Sequence, residues 1–331
     1  MAKAKQEVTE FEPASRVRRA SSVVRALDVL ADPWSFLILR EAFFGIRRFD
    51  QMQANLAIAR NILSDRLTRL VDEGVLARRL YEERPPRYEY VLTEAGRDFY
   101  PAIVMLMIWG DRWRCEDTGR PLELFHSDCG RPLVPVVVCS CCRQPLSPFD
   151  VEPVPGPGAG EESGFEPSTT RRRGGEEAWL RGRPCSVARA LSVIGDRWSF
   201  RILRESFLGV RRFEEFQRGL GIARNILSDR LNQLVEQGIL VRRAYQTRPE
   251  RAEYVLGPAG LDLYPSVLLL MRWGDKWRDR GNGPPLILRH KTCGSEITPI
   301  LECSHCGGEI TARRVTYSTR YTLPRQRQAN G

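Results

Sequence analysis

Apolar side chains recur at helical spacing near the start of the chain. From Val23 to Leu30 they lie three and four residues apart, which predicts a short amphipathic helix. Asp32-Pro33 predicts the start of a second helix, because aspartate caps helix N-termini and proline fits the first helical position. We expect this helix to run to about Phe44 and to end at Gly45.

Two further helices are predicted before the first strands. Phe49, Met52 and Leu56 give the third helix an apolar face, and a tight connection near Ala57-Ile58 follows it. The fourth helix spans roughly residues 59–73. Its apolar stripe is formed by Leu63, Leu67, Leu70 and Val71.

Two strand-like runs follow the fourth helix. Residues 75–81 read VLARRLY, residues 88–92 read YEYVL, and the charged, proline-rich segment EERPPR separates them. This pattern predicts a β-hairpin. Thr93 can then cap a last helix that extends to about Trp113, with a kink or a start near Pro101. The predicted fold class is therefore mainly α with small β.

This whole pattern occurs twice in the chain. Leu56–Leu67 reads LAIARNILSDRL and Leu220–Leu231 reads LGIARNILSDRL, an offset of 220 − 56 = 164 residues. The register holds without a gap from about Ser21 to Phe149. Similarity at a fixed period indicates duplicated structural units, so we expect two copies of one domain.

The composition is that of a globular protein with a basic surface. Of the 331 residues, 42% are hydrophobic and 28% are charged, and the net charge is +10. A basic protein attracts polyanions, so nucleic acid and acidic membrane surfaces are both candidate partners. The first residues are polar, and no apolar run approaches the ~20 residues of a membrane helix. We therefore predict a cytoplasmic protein without a membrane partner.

The third helix, the tight connection and the fourth helix have the order of a helix-turn-helix. In that motif the second helix enters the major groove of double-stranded DNA, where arginine can read guanine and asparagine can read adenine. The polar face of the fourth helix offers Arg60, Asn61, Ser64, Asp65, Thr68 and Arg69 as DNA-binding residues. The second copy offers Arg224, Asn225, Ser228, Asp229, Asn232 and Gln233.

The hairpin is predicted to be a wing that also contacts DNA. Its turn carries Arg84 and Arg87, which recur as Arg248 and Arg251 in the second copy. Arginines beside a recognition helix suit the minor groove or the phosphate backbone. The alternative is that these arginines are only solvated.

Two long segments resemble the HxlR-type winged helix-turn-helix regulators, in the strings RALDVLADPWSFLILREAFFGIRRFD and RALSVIGDRWSFRILRESFLGVRRFE and in the residues that follow. The resemblance covers about residues 21–113 and 185–277. It implies a sequence-specific transcriptional regulator, with repression expected. It also implies pairing through the first and last helices of each domain, either between the two copies in one chain or in a homodimer.

The resemblance points to one further residue. Some members of the family sense oxidants or electrophiles through a cysteine at the start of the first helix, and Cys185 matches that position. The first copy has Ser21 there, so a thiol sensor could operate in one copy only. The alternative is that Cys185 is a small, half-buried residue with no signalling role.

Each copy carries the pattern H-x2-C-x9-C-x2-C after its last helix. The first copy provides His126, Cys129, Cys139 and Cys142, and the second provides His290, Cys293, Cys303 and Cys306. Four nitrogen and sulfur ligands at this spacing are typical of a structural zinc site, so we expect one zinc-ribbon-like hairpin in each copy. Reduced thiols without metal and a redox pair are the alternatives. Cys141 aligns with His305, so each copy has a fifth candidate ligand.

These patterns divide the chain into seven segments. We predict a disordered tail at 1–15, winged helix-turn-helix domains at 16–115 and 184–279, zinc-ribbon-like elements at 116–150 and 280–315, a flexible linker at 151–183 and a basic tail at 316–331.

Three functional hypotheses remain open from the sequence. The first is a sequence-specific DNA-binding regulator, and the second is a sensor in which metal or thiol chemistry controls DNA binding. The third is a protein-interaction or RNA-associated module that uses the zinc-ribbon-like elements. An enzyme is not expected, because the three histidines all lie in the His/Cys patterns and no phosphate-binding or dinucleotide motif is present.

Overall fold

The computed structural model describes residues 18–30, 32–115, 119–162, 184–248 and 250–319. The predicted tail at 1–15, most of the predicted linker and residues 320–331 lie outside the described residues. No helix in the described part of the chain combines the length and the apolar character needed to cross a bilayer.

The first copy has the predicted order of helices and strands. A two-residue strand precedes it, β1 (Arg18–Arg19). Its elements are α1 (Ser22–Leu30), α2 (Pro33–Phe43), α3 (Phe49–Leu56), α4 (Arg60–Asp72), β2 (Leu76–Glu83), β3 (Pro86–Leu92), α5 (Glu94–Asp98) and α6 (Tyr100–Trp113). The last predicted helix is thus two helices, with Pro101 in the first turn of the second one.

Local chemistry sets these boundaries. An oxygen of Asp32 accepts hydrogen bonds from the amides of Trp34 at 2.8 Å and Ser35 at 3.3 Å, which satisfies donors that the first turn of α2 leaves free. The turn between α3 and α4 needs a left-handed residue, which is Ala57 at φ 51° in the first copy. Gly221 occupies the same place in the second copy at φ 58°, where it avoids the steric cost of a Cβ.

The second copy repeats the arrangement. Its elements are α7 (Ser186–Ile194), α8 (Arg197–Phe207), α9 (Phe213–Leu220), α10 (Arg224–Glu236), β8 (Leu240–Thr247), β9 (Glu250–Leu256), α11 (Pro258–Leu261) and α12 (Tyr264–Trp277). Asp196 caps α8 as Asp32 caps α2, with the amide of Trp198 at 3.0 Å.

Three of the four strand pairs outside the wings join the two halves of the chain. The remaining strands are β4 (Leu122–His126), β5 (Pro135–Cys139), β6 (Val151–Pro155), β7 (Glu161–Glu162), β10 (Leu286–His290), β11 (Pro299–Cys303) and β12 (Val315–Thr319). Antiparallel pairs join β4 to β12, β5 to β11 and β6 to β10, so each of these sheets takes one strand from either side of the linker. The fourth pair joins β1 to β7.

Two predicted boundaries are therefore wrong. The flexible linker was expected from residue 151, but Val151–Pro155 forms β6 and pairs with β10. The basic tail was expected from residue 316, but residues 315–319 form β12 and pair with β4. The proline-rich composition of β6 hid this strand, since prolines are tolerated on an edge strand that pairs on one side only.

The last helices of the two copies lie at the centre of the molecule. Helix α1 packs against α12, α7 packs against α6, and α6 contacts α12. The backbones come so close that a Cβ on Gly110 would lie 2.0 Å from the carbonyl oxygen of Ser186, and one on Gly274 would lie 2.1 Å from that of Ser22. One continuous apolar core spans both copies as a result.

Hydrogen bonds across this contact come in equivalent pairs. The indole of Trp109 donates to the carbonyl oxygen of Ala259 at 2.7 Å, and that of Trp273 donates to Ala95 at 2.8 Å. The members of each pair are related by the repeat offset, as in 273 − 109 = 164 and 259 − 95 = 164. The copies are thus related by a pseudo-two-fold axis.

Candidate nucleic-acid interface and metal-ligand clusters

Helix α4 has one buried face and one exposed polar face. Leu63, Leu67 and Leu70 are each 0% exposed, so they fix the helix against its domain. Five of the six predicted contact residues on this helix are exposed, namely Arg60, Asn61, Ser64, Asp65 and Thr68. The structure therefore places these five polar side chains where they can reach a ligand in solution.

Arg69 is placed differently from the other predicted contact residues. Its side chain is partly buried, and one guanidinium nitrogen donates to the carbonyl oxygen of Asp28 in α1. This bond ties α4 to α1. Arg69 is consequently less available to a ligand than Arg60, which begins the helix.

The recognition helix of the second copy, α10, is similar but not identical. Arg224, Asn225, Asp229 and Asn232 are exposed, whereas Ser228 and Gln233 are partly buried. The side-chain oxygen of Gln233 accepts a hydrogen bond from Arg230 at 2.7 Å. The two recognition helices thus present different side chains near their C-terminal ends.

Aromatic rings orient the first arginine of each recognition helix. The guanidinium of Arg60 lies over the ring of Phe49 at 5.1 Å, and that of Arg224 lies over Phe213 at 5.0 Å. Such cation–π contacts leave the guanidinium donors free in the plane of the group. Both arginines are therefore held at the helix N-terminus, where an anion is favoured.

Sequence reasoning missed a second pair of arginines, Arg48 and Arg212. Each lies immediately before α3 or α9 and stacks on a wing tyrosine, with Arg48 over Tyr81 at 4.7 Å and Arg212 over Tyr245 at 5.1 Å. Both arginines and both tyrosines are exposed. The doublet Arg47-Arg48, repeated at the 164-residue offset, was the signal that could have identified them.

The wing arginines are exposed, but only Arg84 and Arg248 lie in the turns, because Arg87 belongs to β3 and Arg251 to β9. The exposed side chains are those of Arg84, Arg87, Arg248 and Arg251. A carboxylate oxygen of Glu82 lies 3.3 Å from Nε of Arg87. An exposed pair of this kind contributes no more than about 1 kcal/mol, so a phosphate can replace the glutamate.

The eight predicted metal ligands form two clusters, but the prediction that each copy builds its own site is wrong. One cluster contains His126, Cys129, Cys303 and Cys306, and the other contains Cys139, Cys142, His290 and Cys293. Each cluster takes two ligands from each copy. Its four ligand atoms all lie within 4.8 Å of one another.

This exchange of metal ligands between the copies follows from the pairing of β5 with β11. In this antiparallel pair Cys139 lies opposite Pro299, and Cys303 lies opposite Pro135. The end of each strand therefore lies beside the start of the other, next to the turn that follows the other copy's histidine. Ligand spacing along the chain is identical for both arrangements, so sequence could not distinguish them.

The geometry of both clusters fits a tetrahedral metal ion. Nδ1 of His126 lies 3.2 Å from Sγ of Cys306 and 3.7 Å from Sγ of Cys129, and the second cluster has 3.2 Å and 3.5 Å between His290 and its cysteines. Ligands at ordinary zinc distances lie about 3.5–3.8 Å apart in a tetrahedron. Both histidines are almost completely buried, at 0% and 1% exposed.

Backbone amides favour the metal-binding form of two cysteines. A hydrogen bond from the amide of Arg131 lowers the pKa of the Cys129 thiol to about 7. The amide of Ser295 lowers the pKa of the Cys293 thiol to about 6 in the same way. The thiolate is the form of cysteine that binds metal.

The fifth candidate ligands are not part of the clusters. Cys141 and His305 are both exposed, and neither belongs to the four-residue groups. The sulfur of Cys141 accepts a hydrogen bond from the hydroxyl of Ser295 at 3.3 Å.

Cys185 lies at the contact between the copies. Its sulfur caps α7 by accepting from the amide of Ala188 at 3.4 Å. The same residue lies beside the buried guanidinium of Arg40, which belongs to α2 of the first copy. The half-buried thiol therefore links the two copies.

Two winged helix-turn-helix units with exposed recognition helices define a DNA-binding transcription regulator. The HxlR-like helix-turn-helix family model matches residues 29–118 and 193–282. These segments make up more than half of the chain, and the chain belongs to this family, with two tandem copies of its domain. The resemblance found in the sequence is thus confirmed.

Named relatives agree with this assignment. The chain is 54% identical over 131 residues to the Uncharacterized HTH-type transcriptional regulator Rv3095 of Mycobacterium tuberculosis, covering 40% of this chain and 83% of the relative. It is 33% identical over 97 residues to the HTH-type transcriptional regulator YdeP of Bacillus subtilis, covering 29% and 76%. Among solved structures, the redox regulator HypR in its reduced form is 36% identical, with 27% of this chain and 89% of that chain covered and a TM-score of 0.26.

Proposed function

We propose that one chain binds one double-stranded DNA operator with both of its recognition helices, and that it acts as a repressor. Helices α4 and α10 enter the major groove, and the wing arginines contact the minor groove or the backbone. Repression is the expected outcome where the operator overlaps a promoter, because the bound protein then excludes polymerase from the same DNA.

The paired contacts between the copies carry this proposal. The hydroxyl of Ser22 donates to Asp275 and that of Ser186 donates to Asp111, which are equivalent bonds in opposite directions. A pseudo-two-fold pair of helix-turn-helix units suits two half-sites one helical turn apart, about 34 Å. Intrachain pairing of the two repeats therefore supplies what a homodimer supplies to single-copy regulators.

The test is recovery of genomic DNA by the purified full-length chain at physiological salt. We expect enrichment of a motif with two half-sites, bound by one chain as measured by light scattering of the complex. Asn61→Ala should relax base preference in one half-site and Asn225→Ala in the other, so each variant is the control for its counterpart. Absence of any enriched motif, or complexes that always contain two chains, would contradict the proposal.

We further propose that each exchanged cluster holds one structural zinc ion. Three thiolates and one imidazole per cluster are a common ligand set for structural zinc, and four protein ligands leave no open position for catalysis. Elemental analysis of the purified chain should give two zinc ions per molecule. A chain that folds and binds DNA with no bound metal would refute this part of the proposal.

A thiol-responsive regulator is the second candidate function, supported by the contact between Cys185 and Arg40. Oxidation of this sulfur would disturb a contact between the copies. Mild peroxide should then release operator DNA from the wild-type chain but not from Cys185→Ser, which copies Ser21 of the first repeat. Equal release from both proteins would exclude Cys185 as the sensor.

A further inference from the structure

A pocket of about 340 Å³ lies where α12 meets α5 of the first copy and the segment that follows β11. Trp273 and Leu269 of α12 line it on one side, and Arg97 and Asp98 of α5 line it on another. Its volume falls within the range of small-molecule sites, roughly 300–1,000 Å³. Neither the recognition helices nor the wings contribute residues to it.

The lining of this pocket is strongly cationic. Two of its residues are acidic, Asp98 and Glu309. Five are basic, namely Arg97, Arg272, Lys276, Arg313 and Arg314. The formal charge of the lining is therefore 5 − 2 = +3.

The internal repeat provides a control for this observation. The pseudo-symmetric pocket, which α6, β5 and the residues after α11 line, contains one cation, Arg112, and one carboxylate, Asp262, so its formal charge is zero. It is also smaller, at about 180 Å³. The positions equivalent to three of the arginines are occupied by Ile108, Leu261 and Phe149. The shared fold therefore does not require the arginines.

Part of this positive charge has no acidic partner among the described residues. Lys276 lies 2.6 Å from Asp98, and Arg314 lies 3.6 Å from Asp128. Arg97 and Arg272 instead donate to backbone carbonyls, of Leu92 at 2.7 Å and of Pro299 at 3.0 Å. A guanidinium has five N–H donors, so donors remain for a ligand.

We propose that this pocket binds a small dianion, either a phosphate ester or a dicarboxylate. The planar guanidinium group of arginine matches the geometry of phosphate and carboxylate oxygens. Two negative charges on the ligand would offset most of the +3 formal charge of the lining. Arg97 comes from the first copy and Arg272 from the second, so a bound dianion contacts both copies. None of the predicted DNA-binding residues and none of the cluster ligands lines the pocket.

The experiment measures binding of glycerol 3-phosphate, a phosphate ester, and of succinate, a dicarboxylate, to the zinc-loaded full-length chain without DNA, by titration calorimetry. We expect one saturable site for at least one probe, and the preferred probe distinguishes the phosphate class from the carboxylate class. Arg272→Ile, which installs the residue found at position 108, should weaken binding by about tenfold or more. Arg112→Ala in the neutral pocket is the matched control and should bind as the wild type does.

Three results would overturn the proposal. The first is that neither probe binds, and the second is that Arg272→Ile binds the probe as tightly as the wild type does. The third is that Arg272→Ile and Arg112→Ala weaken probe binding equally, which would show nonspecific attraction of anions. Arg313→Ala provides a second test at an exposed position, in case Arg272→Ile does not fold. If neither probe binds, and Arg272→Ile and Arg313→Ala instead lose affinity for a DNA duplex of arbitrary sequence, the pocket lining is a DNA contact and not a small-molecule site.

Discussion

At the scale of single residues, the copies differ where a charge is buried. Arg201 takes the place of Leu37 and is 3% exposed. One of its guanidinium nitrogens lies 3.7 Å from a carboxylate oxygen of Asp28 in the other copy. The sequence predicts that the copies do not pack identically, but a single arginine on a helix face does not reveal which distant carboxylate it meets.

The half-buried carboxyl of Asp275 gives a pH-dependent prediction. Burial raises its pKa from 3.8 to about 6, although Ser22 donates a hydrogen bond to it. The folded state therefore holds this proton more tightly than the unfolded state does. The contribution of Asp275 to stability is fully present below about pH 4 and is lost as the pH rises through about 6.

Asp275→Asn should remove this dependence and keep an acceptor for Ser22. Relative to the wild type, the free energy of unfolding of the variant should increase between pH 4 and pH 7, by at most about 3 kcal/mol. Urea unfolding across that range measures the difference. Asp72→Asn, at an exposed helix end, is the control, and a parallel profile for both variants would contradict the assignment.

At the scale of elements, the sequence predicts most of the fold correctly. Caps, apolar stripes and the alternating hairpin place α2, α3, α4 and the wing close to their observed bounds, because these signals are local. The same local signals cannot predict a strand whose partner lies in the other copy. This is why β6 and β12 were assigned to a linker and a tail.

Two glycines give an element-scale prediction. Gly274→Ala should destabilise the protein by about 1–3 kcal/mol or more, because its Cβ would lie 2.1 Å from a backbone oxygen of α1. Gly219 in α9 is the matched helical control, since a Cβ there meets nothing closer than 3.7 Å. Gly219→Ala should be neutral or stabilising by up to about 1 kcal/mol. Thermal unfolding of both variants measures these changes in stability. Equal losses of stability would show that the close approach of α12 to α1 is unimportant.

At the scale of the whole molecule, the main surprise is the exchange of metal ligands between the copies. The residues of the candidate site could be predicted individually, since their type and spacing identify them. Their grouping could not be predicted, because it depends on which strands pair over a separation of more than a hundred residues.

The exchange predicts an effect at a distance along the chain. Cys303→Ser should increase amide hydrogen exchange around His126 in the first copy, because both residues belong to one cluster. Cys139→Ser should act in the same way around His290. Hydrogen exchange of the zinc-loaded proteins, read by mass spectrometry, measures both effects. Increased exchange confined to the copy that carries the substitution would show that each repeat holds its own metal.

Covalent fusion of the two domains also changes how the protein can vary. In a homodimer one codon specifies both sides of every symmetric contact, so each substitution occurs twice in the assembly. Here the equivalent positions are encoded separately, as Ile108 and Arg272 illustrate. One half-site, one wing or one pocket can therefore change while its twin is preserved, and a nonpalindromic operator becomes accessible to an architecture that began as symmetric.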